Sequence, residues 1–98
     1  MEASVVQENS EHFTELTISN RLGLHARAAA RLAAMARAFK AELYLEKNGL
    51  SADAKSVLSL LTLECPLGTR VVVRAVGPDA RQAVDLAAEL IDNKFGEE

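Results

Sequence analysis

The strand-like segments of this sequence each carry one apolar face, and this pattern constrains the fold more than any other feature. The clearest case is residues 41–47, AELYLEK, where Ala41, Leu43 and Leu45 alternate with residues that carry a polar group. Such alternation is typical of a strand in a sheet that is covered on one side only. The sequence therefore predicts a two-layer structure in which every helix packs on the same face of the sheet.

Three further segments have strand character. Residues 13–19, FTELTIS, alternate in part, and residues 69–76, TRVVVRAV, form the stretch richest in β-branched side chains. Asn48-Gly49 is a strong signal for a short hairpin, so a return strand is expected over 50–54. The pattern predicts four strands.

Helical segments separate these strands and follow the last one. Residues 26–39 are rich in alanine, and residues 56–63 begin with Ser56, a favourable N-cap. A final helix is expected to open at 78–79 and to end at Gly96. The order is β-α-β-β-α-β-α. We therefore expect an α+β fold, an open-faced two-layer sandwich whose four-stranded antiparallel sheet is covered on one face by three helices.

Length and charge place further limits on the chain. Its 98 residues suit one domain. Residues 1–12 are polar and acidic and are expected to form a flexible tail, so the folded domain is predicted at 13–98. A net charge of −3 gives no general attraction for nucleic acid. There is no apolar run long enough for a membrane span and no secretory signal, so a cytoplasmic location is the expectation.

Few residues are candidates for chemistry. The sequence has no P-loop, no GxSxG elbow, no HExxH motif and no apolar segment holding a carboxylate pair. Cys65 is the sole cysteine and is expected to be structural, and His12, placed in the tail, is expected to have no role. No cofactor or metal ion is expected.

His25 stands apart because it lies in GLHAR, between a glycine loop and a predicted helix. The free N–H groups and the dipole of a helix N-terminus favour negative charge. Arg27 follows two residues later and could bind phosphate oxygens. A neutral imidazole is a nucleophile, so these groups could accept a phosphoryl group. From spacing alone, a simple helix cap at His25 and a solvated Arg27 explain the pattern equally well.

Two longer segments add a resemblance. GLHAR followed by AAARLAAMARAF resembles the active-site segment of HPr, the histidine phosphocarrier of the bacterial phosphoenolpyruvate-dependent phosphotransferase system. NGLSADAKSVLSLLTLECPLGTRVVV resembles the second characteristic segment of that family. The two occur in the family's order and spacing, and the resemblance spans about residues 13 to 95. It implies the same open-faced sandwich that the periodicity predicts.

The resemblance also implies roles for individual residues. His25 matches the histidine that enzyme I phosphorylates on Nδ1 and that passes the group to a IIA protein or domain. Arg27 matches the arginine that faces the phosphate. Ser56 matches the serine that an HPr kinase/phosphorylase modifies in some bacteria, a role compatible with an N-cap. The expected partners are thus enzyme I and IIA proteins or domains, joined by that kinase where Ser56 is modified. No nucleic acid and no membrane insertion are expected, and the protein is expected to be a carrier that works as a monomer.

A docking surface is expected beside His25, with an apolar centre and a basic rim. Its predicted members are Leu24, Ala26, Ala30, Arg31, Ala34, Arg37, Val57, Leu58 and Leu61. Leu60 and Leu63 are expected to point inward instead.

Two departures from the family pattern leave its branch open. Ala28 stands where the family usually has proline, and Leu22 stands where it often has Asn or Ser. Leu22 resembles the nitrogen-related branch, NPr, whereas the AKS segment resembles the sugar branch. The sequence argues against two other functions. A regulatory relative without phosphate would lack the active histidine, and an RNA-binding module would need aromatic platforms or a GxxG loop that this sequence lacks.

Overall fold

The computed structural model describes residues 10–97. The strands are β1 (Glu11–Thr17), β2 (Glu42–Lys47), β3 (Leu50–Asp53) and β4 (Arg70–Val76), and the helices are α1 (Ala26–Ala36), α2 (Val57–Thr62) and α3 (Ala80–Asp92). A 3-10 turn, Lys94–Gly96, follows α3. The predicted order of strands and helices is confirmed.

The four strands form one antiparallel sheet in the order β1-β4-β2-β3. Leu45 lies at its centre, opposite Val73 on one side and Ala52 on the other, and all three are buried. The opposite face of the sheet is uncovered, and there the guanidinium of Arg74 lies 4.6 Å from the ring centre of Tyr44. The sheet is thus covered on one face, which confirms the expected open-faced α+β sandwich.

Small side chains line the helix faces that pack on this sheet. The buried alanines of the two longer helices are Ala28, Ala29, Ala33 and Ala36 in α1 and Ala80, Ala83 and Ala87 in α3. Because the distance between packed elements depends on the side chains at their contact, alanines allow these helices to approach their neighbours closely. Leu32 and Ile91 supply larger buried side chains in the same layer.

The N-terminal boundary of the sheet differs from the prediction. β1 begins at Glu11, so Glu11 and His12 belong to the sheet rather than to a tail, and His12 lies opposite Ala75 of β4. Pairing with β4 continues to its last residue, and the amide of Gly77 also donates to the carbonyl of Ser10 at 2.9 Å. The other residues of the predicted tail, 1–9, lie outside the described residues.

α1 ends at Ala36, three residues before the predicted end at Phe39. The amides of Ala38 and Phe39 bond to carbonyls only three residues back, which tightens and ends the helix. The chain then turns into β2, and the carboxylate of Asp79 accepts the amides of Lys40 and Ala41 at 2.9 and 2.7 Å. These two amides hold the pKa of Asp79 below its usual range. Asp79 therefore fixes the turn before β2, while its side chain makes no capping bond to α3.

α3 likewise ends early, at Asp92 rather than at Gly96. Lys94, Phe95 and Gly96 follow with φ of +57°, +55° and +75°, in the left-handed region. These values reverse the hand of the chain, so the residues after Asp92 cannot continue α3. The Phe95 side chain is buried. Within residues 10–97, no helix is long and apolar enough to cross a lipid bilayer.

Candidate functional site

His25 is the N-cap of α1. Its backbone is extended, with φ −81° and ψ −178°, and its carbonyl accepts the first helical hydrogen bond, from the amide of Ala29 at 2.8 Å. Nδ1 of its ring accepts from the amide of Arg27 at 3.2 Å. The side chain remains 24% exposed. The ring therefore presents Nδ1 to the free end of the helix, where an anion is favoured.

The loop before His25 is pressed against another part of the chain. Gly23 has a φ of +70°, and a Cβ at this position would lie 2.7 Å from the carbonyl oxygen of Cys65 and 2.8 Å from Cα of Pro66. The next residue, Leu24, donates its amide to the same Cys65 carbonyl at 2.8 Å. Only glycine satisfies both the backbone angle and the close approach. The position of His25 is thus fixed by the Cys65–Pro66 turn.

Cys65 itself is buried in this turn. Burial raises the pKa of its thiol, and the charge of Lys47 only partly opposes that effect. A buried thiol with a raised pKa has little thiolate and is a weak nucleophile. Cys65 therefore belongs to the packing of the site loop and not to its chemistry.

Guanidinium groups border a surface depression of about 520 Å³ beside His25. Arg21, Arg27 and Arg31 line it together with Leu22, Gly96 and Glu97. Arg31 is also held in place, because its Nη1 donates to the carbonyl of Phe95. The concentration of positive charge near the helix N-terminus makes this part of the surface suited to an anion.

Two residues of the site were not predicted from the sequence. The Glu97 carboxylate contacts Nε2 of His25 through Oε2, and its Oε1 accepts a hydrogen bond from Nδ2 of Asn20 at 3.0 Å. Asn20 is fully buried. The amide of Asn20, followed by His25, holds the pKa of Glu97 below its usual range although burial opposes this. Because Glu97 is 72 positions from His25, no local spacing could have indicated the contact.

Some members of the predicted docking surface are exposed and others are not, and the docking role of this surface stays a prediction. Ala26, Ala30, Arg31, Ala34, Arg37 and Leu58 are exposed. Val57 and Leu61 are half-buried and pack against the core. Leu24 is buried, so its inclusion was wrong: the loop bond to Cys65 turns this side chain inward. Leu58 is the most prominent apolar member, 74% exposed.

Ser56 caps α2, as its sequence position predicts. Its Oγ accepts the amide of Ser59 at 3.1 Å, and its own amide donates to the carbonyl of Asp53. Leu60 and Leu63 are buried as expected. Among residues 10–97 there is no group of three or more His, Cys, Asp or Glu side chains that could hold a metal ion.

The open-faced sandwich and the half-buried histidine at the N-terminus of α1 together define a class of small α+β proteins, and sequence comparison shows which family of that class applies. The family model described as "PTS HPr component phosphorylation site" matches residues 13–93. Phosphocarrier protein HPr of Cupriavidus necator is 41% identical over 83 residues, 85% of this chain and 93% of that protein. Phosphocarrier protein NPr of Shewanella violacea is 45% identical over 83 residues, 85% of this chain and 91% of that protein.

Solved structures agree with the sequence matches. A crystal structure of HPr from Thermoanaerobacter tengcongensis superimposes with a TM-score of 0.85 and 34% identity, covering 89% of this chain and 98% of that one. HPr from Bacillus anthracis gives a TM-score of 0.80 at 29% identity, with 85% and 99% covered. The chain belongs to the HPr/NPr phosphocarrier family of the phosphotransferase system.

Proposed function

We propose that this chain is a cytoplasmic phosphocarrier that accepts a phosphoryl group on Nδ1 of His25 from phosphorylated enzyme I and passes it to a IIA protein or domain. The observation that supports this most directly is the position of Nδ1, which faces the amide of Arg27 at 3.2 Å at the N-terminus of α1. A nucleophilic nitrogen and donors for an incoming phosphate are thereby placed together.

The transfer uses groups already present at this site. The lone pair of Nδ1 attacks phosphorus, and the bond between phosphorus and the donor atom of enzyme I breaks, with its electrons going to that donor atom. The Arg27 amide then exchanges Nδ1 for a phosphoryl oxygen, and the guanidinium of Arg27 neutralises charge on the group. Transfer to IIA reverses these steps, with a nucleophile of IIA forming the new bond to phosphorus.

Incubation with enzyme I and labelled phosphoenolpyruvate tests the proposal. We expect one acid-labile phosphohistidine per chain in the wild type and none in His25→Ala. His12→Ala is the matched control and should be labelled as the wild type is, because His12 lies in β1. Label that persists in His25→Ala, or a wild-type protein that takes no label, would contradict the proposal; the latter result favours a regulatory binding protein without phosphate.

A nitrogen-related relay is the second candidate, supported by the 45% identity with NPr of Shewanella violacea. Leu22, the residue that suggested this branch, is 64% exposed at the edge of the depression beside His25. Phosphorylated protein should be offered to a sugar-type and a nitrogen-type IIA in parallel. Faster transfer to the nitrogen-type protein assigns this branch, and faster transfer to the sugar-type protein excludes it.

Regulation at Ser56 is a further part of the proposal. Phosphate on Oγ of Ser56 would replace its capping bond to Ser59 and add negative charge near the exposed Leu58. We expect Ser56→Asp to weaken enzyme I binding in calorimetry. Equal dissociation constants for the wild type and Ser56→Asp would show that Ser56 only caps α2.

A further inference from the structure

Glu97 connects two segments that are distant in sequence. One of its carboxylate oxygens accepts from Nδ2 of Asn20 at 3.0 Å, and the other contacts Nε2 of His25. Asn20 and His25 lie in the loop before α1, whereas Glu97 follows the turn after α3. His25 therefore has a protein group at both ring nitrogens, the Arg27 amide at Nδ1 and this carboxylate at Nε2.

Asn20 is held so that it can only donate to Glu97. Its side chain is fully buried, and Nδ2 also donates to the carbonyl of Gly23 at 2.7 Å. Both neighbours of the amide nitrogen are acceptors, which fixes the orientation of the amide. Its Oδ1 has no hydrogen-bond partner among residues 10–97. An unpaired buried oxygen is unfavourable, so the two donated bonds offset a penalty at this position.

The segment that carries Glu97 is also anchored. Phe95 is buried, and its carbonyl accepts from Nη1 of Arg31. Lys94 and Phe95 both have positive φ, a conformation that side chains with a Cβ adopt only where the surroundings compensate for it. The amide of Glu97 donates to the carbonyl of Lys94 at 3.0 Å. The ordered turn at Lys94–Gly96 thus holds the Glu97 carboxylate against His25.

This geometry determines which ring nitrogen carries a proton. An ionised carboxylate is only an acceptor, so Nε2 of a neutral His25 must carry the hydrogen that faces Glu97. Nδ1 then keeps its lone pair and points it toward the Arg27 amide. When Nδ1 bonds to phosphorus and Nε2 retains its proton, the ring becomes positively charged. A carboxylate against Nε2 stabilises that charge, as in other carboxylate–histidine pairs.

We propose that Glu97, held by Asn20, is a positioning residue that keeps His25 protonated on Nε2 and stabilises the positive charge of the phosphorylated ring. The first half concerns the unphosphorylated protein alone. The second half rests on the proposed phosphocarrier function, so the two are tested separately.

The tautomer is measured by two-bond ¹H–¹⁵N correlation of the His25 ring in the full chain, at a pH where histidine is neutral. We expect Nε2–H in the wild type. Glu97→Ala should raise the fraction of Nδ1–H about 10-fold or more, the shift expected for loss of one hydrogen bond to a charged group. Glu89→Ala is the matched control, since Glu89 is exposed on α3, and it should leave the tautomer unchanged.

Glu97→Gln gives the sharper result because it preserves shape. Its amide oxygen must accept from Asn20, so its NH₂ group faces His25 and can only donate. Because Nδ1 still faces the Arg27 amide, both ring nitrogens would then meet a donor, and the fraction of Nδ1–H should rise above that in Glu97→Ala. A Glu97→Gln protein with the same fraction of Nδ1–H as the wild type would overturn the proposal.

The rate of phosphoryl transfer tests whether Glu97 stabilises the positive charge of the phosphorylated His25 ring. In the enzyme I assay, Glu97→Gln should lower kcat about 10-fold or more while the KM for enzyme I stays unchanged, because the docking surface is intact. Wild-type kcat in Glu97→Gln would overturn the second half. If the wild type takes no label, the phosphocarrier function fails and the second half with it, whereas the tautomer result stands independently.

Discussion

The N-termini of α1 and α2 are capped in similar ways, yet only one of them is a candidate site. His25 and Ser56 both have extended backbones, and each accepts an amide from its own first helical turn, at 3.2 and 3.1 Å. The Ser56 cap is completed by the adjoining residues Asp53 and Ser59. His25 is met by Glu97 from the far end of the chain. A helix cap becomes a candidate site where distant segments bring charged groups to it.

The largest expected difference between the two caps concerns Arg27. Arg27→Ala removes a cation from the His25 side, and hydrogen bonds to charged groups are worth about 1.5–3 kcal/mol. We therefore expect phosphoryl transfer from enzyme I to slow by roughly 10- to 100-fold with the thermal unfolding temperature unchanged. Arg81→Ala, an exposed arginine on α3, should transfer at the wild-type rate. Equal rates for the two variants would remove Arg27 from the site.

The opposite behaviour is expected at Ser56. Ser56→Ala removes the capping bond to Ser59, and loss of an N-cap costs about 1 kcal/mol. The free energy of unfolding in urea should fall by that amount while the rate of phosphoryl transfer does not change. A slower transfer in Ser56→Ala would mean that the α2 cap contributes to the chemistry, and the comparison between the two caps would fail.

The smallest effect is expected at acidic pH, where the Glu97 carboxylate becomes protonated and its contact with Asn20 and His25 weakens. Asn20 and His25 hold the pKa of Glu97 below its ordinary value of 4.5, so the ionised carboxylate stabilises the native contact above that pH. This contribution is lost as pH falls through the lowered pKa. The side-chain amide resonances of Asn20 should shift with a midpoint below 4.5, and the Ser59 amide should not follow them. A common midpoint for both would indicate general unfolding.

Most of the fold could be predicted because local patterns determine it. Alternation in residues 41–47 and the Asn48-Gly49 turn predict the hairpin of β2 and β3, and alanine content predicts α1. The predicted ends of the strands and helices are less accurate. β1 gains Glu11 and His12 through pairing with β4, and α1 loses Phe39 to the turn that Asp79 holds. The first difference comes from pairing with a distant strand, and the second from a tight turn whose exit a distant carboxylate holds.

The candidate site was predictable in part for the same reason. His25 and Arg27 lie within three residues, so their chemistry is visible in the sequence. Asn20 read only as a loop residue and Glu97 as a residue beyond the last helix, and their contact depends on the left-handed turn at Lys94 and Phe95. Leu24 is a residue that the sequence placed wrongly. It was predicted in the docking surface, but it is buried where its amide bonds to the Cys65 carbonyl.

The packing of Gly23 against the Cys65–Pro66 turn gives the protein an internal reporter. Cys65 is the only thiol in the sequence, it is buried, and its carbonyl oxygen accepts the amide of Leu24 in the loop that carries His25. A thiol-reactive dye reaches a buried thiol only when the surrounding structure opens, so we expect the labelling rate to rise when the contact between this turn and the loop weakens. Substitutions around His25 can thus be compared for loop opening by dye incorporation alone, with no partner protein in the assay.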